Sequence, residues 1–151
     1  MHILVSACLL GTPCRYDGAS KRNPALDRLT AQGHVLVPVC PEVLGGLPTP
    51  RPPAERQPGG RVVNREGIDV TAEYRAGAEQ ALEIARKYGC TCAVLKERSP
   101  SCGFGQVYDG TFTRTLIPGS GVAAELLSAH EITVYGESQV EELLERLEEK
   151  A

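Results

Sequence analysis

The sequence predicts an α/β protein: a single Rossmann-like domain over residues 1–151, its mostly parallel sheet flanked by helices, with a small hairpin insertion. Three observations predict it. Short apolar runs around Ile3-Leu4-Val5, Val35–Val39, Ala93-Val94-Leu95 and Ile132–Tyr135 have the length and composition of buried strands. Segments with helical periodicity lie between them, and strands alternating with helices argue a parallel sheet. Three of the strands are followed by a cysteine at their carboxyl end, Cys8 and Cys40 directly and Cys102 in the loop just beyond. In an open parallel sheet the carboxyl ends of strands line one edge, where ligands bind, so these residues are expected to converge.

Strand one is expected over residues 2–7, followed by a loop in which Pro13 and Asp17-Gly18 are turn signals. Asn23-Pro24 opens a helix, Asn as cap and Pro at the first helical position. Leu26, Leu29 and Thr30 are expected to face inward, and Gly33 to end the helix. Strand two covers 35–39. Residues 41–69 are rich in Pro and Gly, and a loop of that length inside a domain is usually functional or disordered. Within this region 61–64 and 67–70 are expected to pair as a hairpin. A helix over 71–88 places Ala78, Ala81, Leu82 and Ala85 on one face, and Gly89 ends it. Strand three covers 92–96. Asp109-Gly110 between 105–108 and 111–113 predicts a second hairpin. Pro118–Gly121 leads into a helix over 121–129, and 132–135 form the last strand. Ser138 and Glu141 read as a capping box for a helix burying Val140, Leu143, Leu144 and Leu147.

Composition narrows the function classes. A net charge of -3 gives no global reason for nucleic-acid binding, and the absence of Trp argues against a single-strand stacking platform. No apolar run has the length of a membrane span, and no signal peptide is visible, so a cytoplasmic protein is expected. Six cysteines in such a chain point to metal binding or catalysis rather than a disulfide framework. The absence of a C-x-x-C pair argues against the common zinc modules.

A single cysteine is more often a small buried hydrophobe than a ligand, so the case rests on Cys8, Cys40 and Cys102 together. Thiolates suit iron–sulfur clusters and zinc. Three of them leave a coordination position open, which catalytic sites need and structural sites lack. Cys14, in the loop after Cys8, is an alternative fourth ligand that would close the site. Cys90 and Cys92 fall at the opposite end of strand three and read as structural thiols. Glu42, two residues after Cys40, is a candidate general base or acid. Ser99 and Ser101 are turn-forming hydroxyls or substrate contacts. Gly119-Ser120-Gly121 before a helix could hold an anion on backbone amides. Arg51, Arg56, Arg61 and Arg65 read as solvated surface, with one or two able to reach a phosphate. His2, His34 and His130 show no ligand spacing.

The combination of Ser6-Ala7-Cys8-Leu9-Leu10-Gly11, Arg15-Tyr16-Asp17-Gly18, Cys40-Pro41-Glu42, Gly45–Arg51, Lys96 and Ser99–Gly103 resembles the thiouracil desulfidase family, domain of unknown function 523. The resemblance covers nearly the whole chain. It implies a 4Fe-4S cluster on Cys8, Cys40 and Cys102, with one iron lacking a protein ligand, and catalytic roles for Glu42 and Ser101. It implies desulfurisation of a thiolated uracil to its oxygen analogue and sulfide. The expected route is non-redox hydrolysis: an open iron polarises C=S as a Lewis acid, and Glu42 or a water it positions delivers oxygen. Some relatives carry an extra domain and act on tRNA. With no such extension here, a free base, nucleoside or nucleotide is the expected partner. The rival readings are a non-catalytic iron–sulfur or zinc module, such as a sensor, and a thiol-dependent sulfur carrier.

Overall fold

The computed structural model describes residues 1–149. In chain order its elements are β1 (His2–Ser6), α1 (Asp27–Ala31), β2 (Val35–Val39), α2 (Pro41–Leu44), β3 (Ala54–Arg56) and β4 (Val62–Asn64). Then come α3 (Thr71–Lys87), β5 (Cys92–Leu95), β6 (Gln106–Tyr108), β7 (Leu116–Pro118), α4 (Val122–Ala129), β8 (Thr133–Gly136) and α5 (Val140–Glu149). Short 3-10 turns at Ala7–Leu10, Pro24–Leu26 and Glu137–Gln139 join some of them.

The central sheet has the order β2-β1-β5-β8. Every neighbouring pair in it is parallel. Alternate side chains of β1 and β5 go to opposite faces, so each face has its own core. Ile3, Val5, Cys92 and Val94 pack with Leu26 and Leu29 of the first helical segment and with Val140, Leu143 and Leu144 of α5. Leu4, Ala93 and Leu95 pack with Ala81, Leu82 and Ala85 of α3 and Ala124 and Leu127 of α4. A sheet covered on both faces explains why its strands read as continuous apolar runs. The chain moves from β1 outward to β2, then returns past β1 to β5, so the order reverses beside β1. That reversal opens a crevice at the carboxyl ends of the strands.

One close contact positions the crevice wall. α2 crosses α3 backbone to backbone, because Gly45 and Gly77 carry no side chain. A Cβ on Gly77 would lie 1.7 Å from the Pro41 carbonyl oxygen, and one on Gly45 would lie 1.9 Å from that of Glu73.

Most element expectations hold, with specific differences. The Asn23 side chain accepts from the Ala25 amide at 3.0 Å, the predicted cap. Thr30, expected to face inward, is exposed. The expected pairing of 61–64 with 67–70 is present as an antiparallel bridge, Val63–Asp69. The Asn64 amide donates to the Ile68 carbonyl and the Val70 amide to the Val62 carbonyl, both at 2.9 Å. β4 also pairs on its other side with β3, a strand the sequence does not announce. β6 pairs with Leu116–Pro118 rather than 111–113, because Asp109-Gly110 begins a longer turn closed by the Asp109 amide on the Thr115 carbonyl at 2.9 Å. The capping expected of Ser138 is not made. Its hydroxyl and amide both donate to Glu97, and Gln139 instead accepts from the Gly136 amide at 2.8 Å. The last helical segment is therefore entered through a 3-10 turn.

Candidate active site

Three strand ends deliver their cysteines to one cavity of about 670 Å³. Cys8 sits in the 3-10 turn that continues β1, and Cys40 is the residue that caps α2. Cys102 follows β5 in the Ser99–Gly103 loop. Cys14 also lines the cavity, as do Glu42, Ser99 and Ser101. The expected convergence of Cys8, Cys40 and Cys102 holds. Cys90 and Cys92 are buried in the two cores and are not part of the lining.

The Cys102 loop is fixed by the chain that follows it. The Ser99 hydroxyl accepts from the amides of Ser101 and Cys102, both at 3.1 Å. At the start of α4, the Val122 amide donates to the Pro100 carbonyl, and those of Ala123 and Ala124 to the Ser101 carbonyl. Helix amides at a first turn have no partner within their own helix, and here the loop supplies one. Gly119, Ser120 and Gly121 are thus not brought into the cavity, and the amides beyond them are already engaged. A Cβ on Gly121 would lie 2.5 Å from the Ser101 carbonyl carbon, so this glycine permits the close approach.

Glu42, in the first turn of α2, accepts three hydrogen bonds. Arg51 Nε donates to Oε1 at 3.1 Å, the Tyr74 hydroxyl to Oε1 at 2.8 Å, and the Ser101 hydroxyl to Oε2 at 2.9 Å. Ser101 has one hydroxyl proton. With that proton on Glu42, the 3.0 Å contact between Ser99 and Ser101 must be donated by Ser99. The hydroxyls therefore form a directed chain, Ser99 to Ser101 to Glu42.

Arg51 is the residue that surface reasoning misplaces. Its side chain is 4% exposed. Beyond Glu42 it donates to the carbonyls of Pro48 and Cys14 and to the Thr49 hydroxyl, at 3.1, 2.9 and 3.0 Å. One planar guanidinium thus ties the Cys14 loop, the 48–51 turn and the candidate base together. Arg65 also reaches the cavity, whereas Arg56 and Arg61 pair with Glu125 and Asp69 elsewhere. Tyr74 was not singled out from the sequence. Its position four residues before Ala78, on the inward face of α3, is the signal that could have found it.

The environment favours neutral thiols. Burial pushes the Cys102 thiol up to about 12, against opposing hydrogen bonds from Ser6 and Ser101. The Cys14 contact and burial push Cys40 well above the ordinary thiol range. Cys14 gains from a hydrogen bond with Cys40, but its contact with Cys8 and its burial outweigh this and raise it. Burial, reinforced by the Glu42 charge, likewise holds the Tyr74 hydroxyl in its neutral, donating form.

The donor chemistry fits a polynuclear iron–sulfur group: soft sulfur donors lining a cavity. Among the described residues no three or more His, Cys, Asp or Glu side chains are gathered to hold one metal ion. Because ligation needs thiolates, loading such sulfurs releases protons and strengthens as pH rises.

The fold and crevice together define a parallel α/β protein with a thiol-lined site at its strand ends. The chain matches the model of the 2-thiouracil desulfurase family over residues 3–139, and it belongs to that family. It is similar to the solved structure of the [4Fe-4S]-dependent thiouracil desulfidase TudS, with 52% identity, 97% of each chain covered and a TM-score of 0.90. It is also 39% identical to the uncharacterized protein YbbK of Bacillus subtilis (strain 168), over 94% of this chain and 99% of YbbK. Among the described residues, no helix is long and apolar enough to cross a membrane.

Proposed function

We propose that this protein is a 4Fe-4S-dependent desulfidase that converts a thiolated uracil and water to the oxygen analogue and sulfide. The observation that carries the reading is the placement of Cys8, Cys40 and Cys102 in one cavity with a Glu42–Ser101 hydrogen bond of 2.9 Å. Family membership and the likeness to TudS support it. Residues 1–151 act as one domain, with the three cysteines as cluster ligands and Glu42 and Ser101 as catalytic groups. When bound, the cluster supplies a thiophilic Lewis acid at the iron without a protein ligand.

The chain's own residues supply the rest. Glu42 orients a water toward the thiocarbonyl carbon and takes its proton. The Arg51, Tyr74 and Ser101 donors fix the carboxylate and occupy three of its roughly four lone-pair sites, which leaves about one, on Oε2, for the water. The proton that Glu42 takes passes through the Ser101 hydroxyl to the departing sulfur, the Glu42–Ser101 hydrogen bond reversing as it does so. Ser99, whose one donor and two acceptor sites are all engaged, positions Ser101 rather than the substrate. The cavity lining carries Arg15, Lys21, Arg65, Arg98 and Arg114 against only Glu55 and Glu97 beyond the paired Glu42. This excess of cations suits an anionic form of the substrate, so a thiolated nucleotide is favoured over the neutral base.

The direct test uses anaerobically loaded protein, 2- and 4-thiouracil, and their nucleoside monophosphates. In oxygen-18 water the product carbonyl should carry the label, and sulfide should appear without added reductant. Unlabelled product, or sulfide that needs stoichiometric electrons, defeats the hydrolytic route. The nucleotides should show the higher kcat/KM.

Ligand assignment has its own test. Cys8→Ala, Cys40→Ala and Cys102→Ala should each abolish stable loading of about four irons and four sulfides. Cys90→Ser with Cys92→Ser should leave iron content and turnover nearly unchanged. The burial of Cys14 beside Cys8 and Cys40 is the observation behind a second reading, a closed and non-catalytic cluster. Loss of iron from Cys14→Ser would favour that reading; retained iron and turnover favour the open site.

A further inference from the structure

Of seven Tyr and Phe residues in the chain, four line the cavity: Tyr16, Tyr74, Tyr108 and Phe112. They are not equivalent. Tyr74 is 1% exposed and its hydroxyl is committed to Glu42. Tyr108 is held in β6 opposite Leu116. Tyr16 is an exposed ring near the Arg15 guanidinium. Phe112 differs from all of them in how its backbone is held.

The φ angle of Phe112 is +58°, a conformation that a bulky residue adopts only at a cost. Only four non-glycine residues among those described have positive φ, and three, Arg98, Phe112 and Arg114, line this cavity. Strain of this kind persists only where surrounding contacts impose it, and it clusters at ligand clamps. The contact that imposes it is identifiable. Glu55 on β3 is a buried carboxylate, and its Oε1 accepts from the amides of Gly110 and Phe112 at 2.9 and 3.1 Å. A charged acceptor is thus spent on the backbone of one exposed turn. Gly110, at φ +97°, fits closely beneath it: a Cβ there would lie 2.9 Å from the Arg56 carbonyl oxygen. The Arg65 guanidinium lies 5.7 Å from the centroid of the Phe112 ring, a cation–aromatic contact that orients the ring from β4's side of the hairpin.

We propose that Phe112 is the stacking wall for the pyrimidine ring of the substrate, and that Glu55 is the positioning residue that holds it at the cavity. The inference rests on the desulfidase reading and deepens it. A phenyl ring has no hydrogen-bonding group, so what it offers a ligand is its face and edge. A planar, electron-poor pyrimidine fits that face in any of its thiolated forms, whereas an acyclic thioamide does not. Phe112 therefore selects the ring, and discrimination of sulfur from oxygen is left to the thiophilic group that the cysteines would hold.

The test measures two properties of cluster-loaded protein under anaerobic conditions: turnover of 4-thiouridine 5′-monophosphate, and calorimetric binding of uridine 5′-monophosphate. Phe112→Ala and Phe112→Gly should both raise KM and weaken product binding by roughly five- to a hundredfold, the scale of a lost base–aromatic stack. Their kcat values should change far less. Glycine relieves the backbone strain, so Phe112→Gly should melt no lower than the parent, which separates loss of the ring from loss of fold. Phe112→Tyr and Phe112→Trp should restore binding. Glu55→Ala should raise KM in the same direction with iron content unchanged, and Glu55→Gln, which still presents an acceptor oxygen, should recover most of it. A parent protein that releases no sulfide from any thiouracil defeats the desulfidase reading itself. An active parent with unchanged KM and product binding in Phe112→Ala and Phe112→Gly overturns the stacking wall alone.

Discussion

Glu42→Gln protein should bind iron and sulfide as the parent does and melt within a few degrees of it, yet turn over at least a hundredfold more slowly. The loss is set by general acid–base catalysis, which contributes 10²- to 10⁴-fold. The amide is nearly the same size as the carboxylate, and its oxygen can still accept from Arg51 and Tyr74. Its NH₂ group then faces the Ser101 hydroxyl, which must turn to accept rather than donate. The Ser99–Ser101–Glu42 hydrogen-bond chain is broken at its last link even though no atom has moved far. Glu42→Ala should lose as much activity and more stability, because it strips the buried Arg51 guanidinium of its counter-charge. Removing one partner of a buried pair typically costs about 3–5 kcal/mol. Iron content, melting temperature and initial rate, measured on one preparation, separate these effects. Full activity in either variant would remove Glu42 from the mechanism.

Gly77→Ala should damage the protein although Gly77 itself does not line the cavity. In a helix interior the exchange normally gains up to about 1 kcal/mol from propensity. Here the new Cβ would meet the Pro41 carbonyl oxygen at 1.7 Å and the Pro41 carbonyl carbon at 2.7 Å. Both are backbone atoms, so no rotamer relieves the clash, and α2 must move. Overpacking of this kind typically costs about 1–3 kcal/mol, which outweighs the propensity gain. The activity loss should be larger than the stability loss suggests. α2 carries Glu42 and is capped by Cys40, and a displacement of about 1 Å at a reacting group can cost a hundredfold. Gly45→Ala, with its Cβ 1.9 Å from the Glu73 carbonyl oxygen, should behave in the same way. Rates compared well below each melting temperature test the point, and a Gly77→Ala protein with parental stability and rate would refute it.

The parts legible in the sequence are those governed by local patterning. The strand runs, the Asn23-Pro24 cap and the inward face of α3 each depend on a few neighbouring residues, and all are found. The convergence of Cys8, Cys40 and Cys102 follows from sheet geometry once the strands are placed. What was not legible depends on distant partners. β3 carries no strand signal of its own and exists because β4 pairs with it. Arg51 looks like any loop arginine until Glu42 and the Cys14 carbonyl are brought beside it. Gly119–Gly121 have the composition of an anion-binding turn, but the Ser99–Gly103 loop reaches the helix amides first. Ser138 has the sequence context of a cap, but Glu97, forty-one residues away, captures its hydroxyl.

The two antiparallel pairs, β3–β4 and β6–β7, stand apart from the central sheet and contribute Glu55, Arg65, Tyr108, Phe112 and Arg114 to the site. The sheet ends contribute the thiols, Ser99, Ser101 and, through α2, Glu42. On the proposed desulfidase reading, sulfur chemistry and ring recognition would therefore reside on separately encoded pieces of chain. On that reading, mutations in 54–65 and 106–118 should retune which thiolated compound is accepted while the reactive centre stays intact, so the architecture would diversify its diet without reinventing its chemistry.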